Sequence, residues 1–179
     1  MLLKWGAKPN CADELCDLPI HRALGFGYGQ IAAALVAAGA RVTRADSEGY
    51  STLHLAVQGR CLDAVRLVLQ QEVLDVNVRE SSLGFTALHE AAQLDASESA
   101  EALLTAGAWL EARSNRGDTA LHIAVSHSRK RAIHTLISHG ADVCLVNERD
   151  ESVRDLAAAA GCLDVLETEL QLKVRRAST

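Results

Sequence analysis

Several residue classes are scarce in this chain of 179 residues, and each scarcity excludes a class of protein. Only two Trp, two Tyr and two Phe are present, which is few for a globular enzyme, and there are only two prolines. No uninterrupted apolar run approaches the roughly 20 residues that span a bilayer. The N-terminal MLLKWGAKPN lacks the apolar core of a secretory signal. The composition therefore argues against a membrane-spanning or secreted protein.

An excess of positive charge is also absent. The chain has 18 Lys and Arg against 23 Asp and Glu, a formal net charge of -5, whereas general nucleic-acid affinity requires clustered cations. Its five cysteines form an odd, scattered set without a C-x-x-C pair. This pattern predicts reduced thiols, and with them a protein of the cytoplasm and also of the nucleus, rather than a disulfide framework.

What the chain does contain is an internal repeat. The segments LPIHRAL, STLHLAV, TALHEAA and TALHIAV align on His21, His54, His89 and His122, which are 33, 35 and 33 residues apart (54 − 21, 89 − 54, 122 − 89). A fifth copy, SVRDLAAAAGCLDVLETEL, has Asp155 in place of the histidine. This pattern resembles the ankyrin repeat, with its period of 33 residues and its T-P-L-H-x-A signature.

The resemblance implies an all-α ankyrin-repeat solenoid, in which helix-turn-helix units are joined by β-hairpin loops. We expect about five units plus a partial N-terminal one. The predicted divisions are a repeat remnant (1–12), an ankyrin repeat (13–45), a repeat with an insertion (46–80), two further repeats (81–113 and 114–146), a degenerate C-terminal capping repeat (147–172) and a flexible basic tail (173–179).

The residue types that recur from unit to unit can be explained physically. Ser51, Thr86, Thr119 and Ser152 precede the first helix, where a hydroxyl can accept free backbone N–H groups. Gly49, Gly84 and Gly117 lie in the loop before it, where a left-handed backbone favours glycine; Cys16 and Asp150 replace this glycine in the first and last units. The core positions are predicted to be Leu53, Leu88, Leu121, Ala56, Ala91 and Ala124.

The stretch GFGYGQ (25–30) allows two interpretations. Three alternating glycines before a helix could hold phosphate, so nucleotide or small-molecule binding at residues 25–29 is an alternative function. However, a phosphate loop follows a β-strand, and neither G-x-G-x-x-G nor G-K-[ST] is present. The preferred interpretation is a turn between two helices, with Gly27 at the position where ankyrin units carry a glycine.

The resemblance also implies a partner-binding surface on the concave face, made by hairpin tips and first-helix ends. Tyr50 and Phe85 are neighbours in the tip row, and we expect none of the aromatics to occupy a core position. Acidic residues flank this pair, so the expected protein partner has an apolar anchor and a basic rim. The predicted partner-binding residues are Trp5, Asp17, Phe26, Glu48, Tyr50, Gln58, Leu83, Phe85, Leu94, Arg116, Asp118, His127, Arg149 and Glu151.

Other candidate sites are weaker. The four repeat histidines are interpreted as structural, and no metal or cofactor is expected. The basic stretch SRKR (128–131) is either a solvated turn or a contact patch. The tail KVRRAST resembles a basophilic-kinase substrate, which makes Ser178 a possible phosphosite.

The sequence thus predicts a monomeric, non-enzymatic protein-interaction scaffold or adaptor that binds neither nucleic acid nor membrane. The alternative within the same superfamily is a regulator that resembles inhibitors of NF-kappa-B, based on the lengthened hairpin before FTALHEAA and on the closing NERDESVRDLA.

Overall fold

The computed structural model describes residues 6–71 and 74–177, with side chains as far as residue 172. Two predicted site residues, Trp5 and Ser178, lie outside these ranges. The described chain forms ten α-helices and no strand, which confirms the all-α prediction. The helices are α1 (Pro19–Gly25), α2 (Gly29–Ala37), α3 (Thr52–Gln58), α4 (Leu62–Leu69), α5 (Ala87–Gln93), α6 (Ser97–Thr105), α7 (Ala120–Ser126), α8 (Lys130–Ser138), α9 (Val153–Ala159) and α10 (Leu163–Ala177).

The helices form two layers that run the length of the array. The first helices pack in the order α1, α3, α5, α7, α9, and the second helices in the order α2, α4, α6, α8, α10. Each first helix also packs on the second helix that follows it in the chain. Every helix pair therefore contacts mainly its sequence neighbours, as expected of a solenoid.

The first helices begin at the predicted hydroxyl residues, but the hydroxyls do not all act alike. Ser51 and Ser152 accept the backbone N–H three residues later, at 3.5 and 3.2 Å. The hydroxyls of Thr86 and Thr119 instead contact the ring Nδ1 of the histidine three residues later, at 2.9 and 2.8 Å. The Ser51 hydroxyl also contacts the ring Nδ1 of His54, at 2.7 Å. All four of these helix starts have a capping box, which agrees with the predicted hydroxyl positions.

The GFGYGQ stretch is a turn between two packed helices. Helix α1 ends at Gly25 and α2 begins at Gly29, with Gly27 between them in the left-handed region at φ 73°. A side chain at Gly27 would collide with the backbone carbonyl of Gly59 in the next turn. A Cβ at Gly29 would lie 2.8 Å from the Cys61 sulfur. Close packing of neighbouring turns accounts for these glycines, so the phosphate-loop alternative gains no support.

The tip loops before the first helices share one backbone geometry. Gly49, Gly84 and Gly117 have φ angles of 87°, 69° and 73°. Cys16 and Asp150, which replace this glycine, adopt the same left-handed conformation at φ 69° and 58°. Because a Cβ makes this conformation unfavourable, the array holds both residues in a strained backbone.

The predicted core positions are buried. The leucines and alanines that were expected to face one seam of the first helix are each no more than 1% exposed: Leu53, Leu88, Leu121, Ala56, Ala91 and Ala124. In the second layer, Val68, Leu103 and Leu136 are also buried. Small alanines at the helix contacts allow the close approach that successive units require.

The two ends of the described array differ in polarity. In the fifth unit, the Asp155 carboxylate replaces the imidazole and accepts the Ser152 N–H at 2.9 Å, which keeps the helix cap. At the opposite end, Phe26, Tyr28 and Ile31 expose 66%, 56% and 52% of their surfaces. The Phe26 and Tyr28 rings stack with centroids 6.0 Å apart.

Candidate partner-binding surface

The repeat histidines join successive units. The ring Nδ1 of His89 accepts the Thr86 N–H at 3.1 Å, so Nε2 carries the proton and donates to the Asp118 carbonyl at 3.0 Å. His54 likewise donates to the Phe85 carbonyl at 2.9 Å. The corresponding acceptors of the other two rings are Arg44 for His21 and Leu145 for His122. All four imidazoles are therefore used in stacking the array.

Burial favours the neutral form of three of these rings, those of His54, His89 and His122. It lowers the pKa of His89 from 6.5 to about 4, although the hydrogen bond to Asp118 opposes the change. Burial also lowers the pKa of His54 and of His122. Because a neutral ring can accept at Nδ1 and donate at Nε2, the depressed pKa values match the hydrogen-bond roles that the stack requires.

A second row of polar residues shapes the tip loops, and the sequence reasoning did not identify it. In each loop one oxygen accepts two backbone N–H groups; Asp46 Oδ1, for example, accepts those of Glu48 and Tyr50 at 3.0 and 2.8 Å. Their regular spacing is the sequence feature that could have identified them, because these residues recur every 33 or 34 positions. The five acceptors are Asp13, Asp46, Glu80, Ser114 and Asn147.

The third tip is one residue longer, and Glu80 accommodates the extra residue. Its carboxylate accepts the N–H groups of Ser82, Leu83 and Phe85 at 2.5, 2.6 and 2.9 Å. Burial by itself raises the pKa of Glu80, but these three bonds outweigh it and lower the pKa. The loop is also bonded to the next tip, because the Asn115 N–H donates to the Leu83 carbonyl at 2.7 Å.

Tip loops and first helices together form one face, which we call the inner face. It contains two hollows. The N-terminal hollow, of about 240 Å³, is lined by Asp17, His21, Arg22, Gly25, Phe26, Asp46, Ser47, Glu48, Tyr50, Leu55 and Gln58. The C-terminal hollow, of about 280 Å³, is lined by Leu83, Phe85, Gln93, Ser114, Arg116, Asp118, His122, Ile123, Ser126, His127, Asn147, Arg149, Glu151 and Leu156.

These hollows bring together most of the predicted partner-binding residues. Five of them line the N-terminal hollow: Asp17, Phe26, Glu48, Tyr50 and Gln58. Seven line the C-terminal hollow: Leu83, Phe85, Arg116, Asp118, His127, Arg149 and Glu151. Leu94 lines neither hollow, because its half-buried side chain packs against the core.

One expectation about the aromatic residues is wrong. Phe85 is only 7% exposed, and its ring stacks on that of His89 with centroids 5.2 Å apart. Tyr50 is half-buried, with its ring edge-on to His54 at 6.0 Å. Phe85 therefore occupies a core position against the His89 imidazole, and it also lines the C-terminal hollow, where it forms the floor.

The acidic residues of the tip row are largely engaged within the protein. Asp17 is buried and accepts the Ser47 N–H at 2.8 Å. The Asn147 amide donates to both Asp118 and Glu151, at 2.8 and 2.9 Å. These three carboxylates were expected to face a partner's basic rim, but each already accepts a hydrogen bond within the array: Asp17 and Asp118 from the next tip, and Glu151 from its own.

The C-terminal hollow is lined by two arginines as well as by the carboxylates of Asp118 and Glu151. Arg116 and Arg149 are exposed. Within the described ranges, neither guanidinium lies at ion-pair distance from a carboxylate. This hollow therefore presents an apolar floor with arginines at its rim.

The residue after each repeat histidine also reaches the inner face, and this row was missed. Leu55, Glu90 and Ile123 are 7%, 8% and 7% exposed. The same position is Arg22 in the first unit and Leu156 in the last. The sequence does contain a signal for this row, because each of its residues directly follows the repeat histidine or the aspartate that replaces it.

The basic stretch at 128–131 is used largely within the array. Arg129 Nε donates to the Gln93 carbonyl of the preceding turn at 2.7 Å. The Arg131 guanidinium lies 3.4 Å from Glu98. These contacts favour a structural role for the stretch over a contact patch.

The described residues contain no group of three His, Cys, Asp or Glu side chains arranged to hold a metal ion. None of the helices described is both long enough and apolar enough to cross a membrane.

Comparison with known proteins gives one family. A family model for ankyrin repeats (3 copies) matches residues 20–114 and 73–147. The chain is 31% identical over 163 residues to the nuclear factor NF-kappa-B p105 subunit of Gallus gallus, which covers 86% of this chain and 16% of that protein. It is 29% identical over 172 residues to the B-cell lymphoma 3 protein homolog of Mus musculus, covering 93% and 38%.

A third relative is named as an enzyme. The palmitoyltransferase AKR1 of Lachancea kluyveri is 33% identical over 132 residues, which is 72% of this chain and 18% of that protein. In each of the three relatives, the chain matches well under half of the length. The similarity is therefore to a segment of each relative.

Proposed function

The chain belongs to the ankyrin-repeat family, and from this premise we propose that it is a non-enzymatic scaffold or adaptor that binds a protein partner on its inner face. The observation that carries the proposal is the pair of hollows on the inner face, whose linings combine residues that hold the stack with exposed side chains such as Glu48, Phe26, Arg116 and Arg149. Ankyrin repeats are in general interaction modules, and this chain's regularly placed imidazoles serve its own stacking.

The C-terminal hollow is the proposed site of an apolar anchor from the partner. Phe85 and Ile123 are both 7% exposed and supply an apolar floor, with the half-buried Leu156 beside them. An apolar side chain placed there would be desolvated on binding, which is where interfaces concentrate their energy. We propose that the protein binds this partner as a monomer, in the cytoplasm and the nucleus.

The test compares inner-face and outer-face variants in a pull-down. Tyr50→Ala removes a half-buried ring from the inner face, whereas Trp109→Ala removes a ring that is 68% exposed and lines neither hollow. We expect a specific protein to be captured by wild type and by Trp109→Ala, and to be reduced at least about tenfold with Tyr50→Ala. Equal capture by all three proteins would contradict inner-face binding.

A second candidate function is regulation of an NF-kappa-B transcription factor. It is favoured by the matches to the p105 subunit and to the B-cell lymphoma 3 homolog, which extend over 86% and 93% of this chain. Purified NF-kappa-B dimers mixed with the chain should co-elute with it in size-exclusion chromatography, and inner-face variants should elute separately. If the wild-type chain and the dimers elute separately, this candidate is wrong.

A further inference from the structure

The N-terminal hollow carries an imbalance of charge. Three acidic residues line it, Asp17, Asp46 and Glu48, against one cation, Arg22. The Arg22 guanidinium already lies 3.4 and 3.5 Å from the carboxylates of Asp13 and Asp17. The cation of this hollow is therefore neutralised by two acids at its own edge.

The carboxylates of the hollow are not equally available. Asp46 is bonded to two backbone N–H groups of its own tip, and Asp17 to the N–H of Ser47. Glu48, by contrast, is exposed at the tip. Its side chain makes no hydrogen bond or ion pair within the described parts of the chain, although its backbone carbonyl accepts from Ser81 at 3.2 Å.

Glu90, on α5, lies directly behind Gln58, one of the residues that line this hollow. Only 8% of its surface is exposed, and its Oε1 is 3.4 Å from the amide Nε2 of Gln58, which lines the hollow. No cation lies at ion-pair distance from Glu90 in the ranges that the structure describes. Burial raises its pKa, and the one long hydrogen bond from Gln58 only partly opposes the change. A carboxylate so deeply buried with so little compensation is costly in the unbound protein.

Tyr50 contributes an aromatic ring to the same hollow, within the electrostatic influence of both carboxylates. Burial raises the pKa of its phenol, and so do the negative charges of Glu90, Glu80, Glu48 and Asp46. The ring therefore lies in a negative potential that several acids create together. An electron-rich ring face beside carboxylates attracts a cation, and the ring also offers apolar area to the aliphatic stem of a long side chain.

We propose that the N-terminal hollow binds a lysine or arginine side chain of the protein partner, with its stem on the Tyr50 ring and its charged head between Glu48 and Glu90. This inference rests on the proposed function and names the residue type that the inner face selects. It also separates the two hollows, because the C-terminal hollow has two arginines, Arg116 and Arg149, against two carboxylates, Asp118 and Glu151, and so lacks this excess of negative charge. The partner segment is thereby oriented, with its basic residue at the N-terminal end of the array.

The experiment is a selection of a random peptide library displayed on phage. Three proteins serve as bait: wild type, Glu48→Gln with Glu90→Gln, and the matched control Glu101→Gln with Glu167→Gln. The control removes the same two charges from exposed positions on α6 and α10. Melting of each bait is measured first, so that loss of the fold is not mistaken for loss of binding.

We expect wild type and control to enrich peptides with Lys or Arg at one fixed position, and the Glu48→Gln, Glu90→Gln variant to lose that enrichment. For the best peptide, this variant should weaken affinity at least about tenfold. Replacing the basic residue of the peptide by norleucine should weaken binding to wild type by a similar factor, with little further effect on the variant.

The remaining outcomes separate the two proposals. Peptides that bind wild type, lose affinity with Tyr50→Ala and carry no fixed basic residue would overturn this inference and leave the inner-face scaffold standing. A basic residue whose contribution persists in the Glu48→Gln, Glu90→Gln variant would also overturn it. Failure of wild type to enrich any peptide would count against both proposals.

Discussion

The Nε2 of His89 donates a hydrogen bond of 3.0 Å to the backbone carbonyl of Asp118, 29 residues further along the chain. The same ring accepts the Thr86 N–H at its Nδ1, so one neutral imidazole both caps its own helix and attaches the following tip loop. The backbone carbonyl of Asp118 thus bonds to the preceding unit. Its side-chain carboxylate accepts a hydrogen bond from the Asn147 amide, which lies in the next tip loop. Structural bonds therefore run from unit to unit directly beneath the inner face.

We expect His89→Ala to lower the free energy of unfolding by about 3 kcal/mol. The substitution leaves the Thr86 N–H and the Asp118 carbonyl unpaired in a buried place and opens a cavity. Urea denaturation followed by circular dichroism measures the change. His139→Ala is the control, because His139 is exposed and bonded only within its own helix, and it should shift stability by less than about 0.5 kcal/mol. Equal effects of the two variants would contradict the stacking role of His89.

Stability should also fall as the pH is lowered from about 6.5 to about 4. In this window the unfolded chain takes up a proton at His89, whereas the folded chain, with a pKa of about 4, does not. The difference from the ordinary value of 6.5 corresponds to about 3 kcal/mol for this ring, which is present above pH 6.5 and lost as the pH approaches 4. Glu90 has the opposite effect on the pH dependence of stability. Because its pKa is raised in the folded protein, its contribution favours folding more as the pH falls.

Denaturation of wild type and of His89→Gln at several pH values isolates the contribution of His89. The difference in unfolding free energy between the two proteins should shrink as the pH falls from 6.5 to 4. A difference that stays constant over this range would show that His89 is not neutral in the folded state.

Cys16→Gly is expected to stabilise the protein by about 1 kcal/mol, because it relieves a left-handed backbone at φ 69° that a Cβ disfavours. The reverse change, Gly117→Ala, should destabilise it, since the new Cβ would lie 2.9 Å from the backbone nitrogen of Glu148. Thermal melting of both variants tests the shared tip geometry. A lower melting temperature for Cys16→Gly would contradict it.

Phe85→Ala and Tyr50→Ala should differ in their effect on stability. Phe85 is buried, so its truncation should cost about 3 kcal/mol of folding free energy. Tyr50 is half-buried at the N-terminal hollow, so its truncation should affect partner binding more than melting. Binding of the best selected peptide is measured beside the melting curve of each variant. If Phe85→Ala melts like wild type, the burial of its ring has been misassigned.

Much of the fold could be predicted because repetition reveals which positions do the same physical job. The histidine register, the left-handed tip positions and the turn at Gly27 all follow from comparing one unit with the next. Phe85 could not be placed in this way. It shares its register position with Tyr50, Asp17 and Asp118, which differ from it in polarity or in degree of burial, and its stacking on His89 appears only in the folded chain.

The repeat spacing is enough to predict the all-α stack and the residues that hold it, because the same contacts recur at a fixed spacing along the chain. Which inner-face groups remain free depends on the folded arrangement. Whether a carboxylate accepts from a neighbouring tip, as Asp118 does, or stays almost uncompensated, as Glu90 does, depends on side chains about 30 residues away. Stacking brings these groups together in space, so the sequence of a single unit does not predict their contacts.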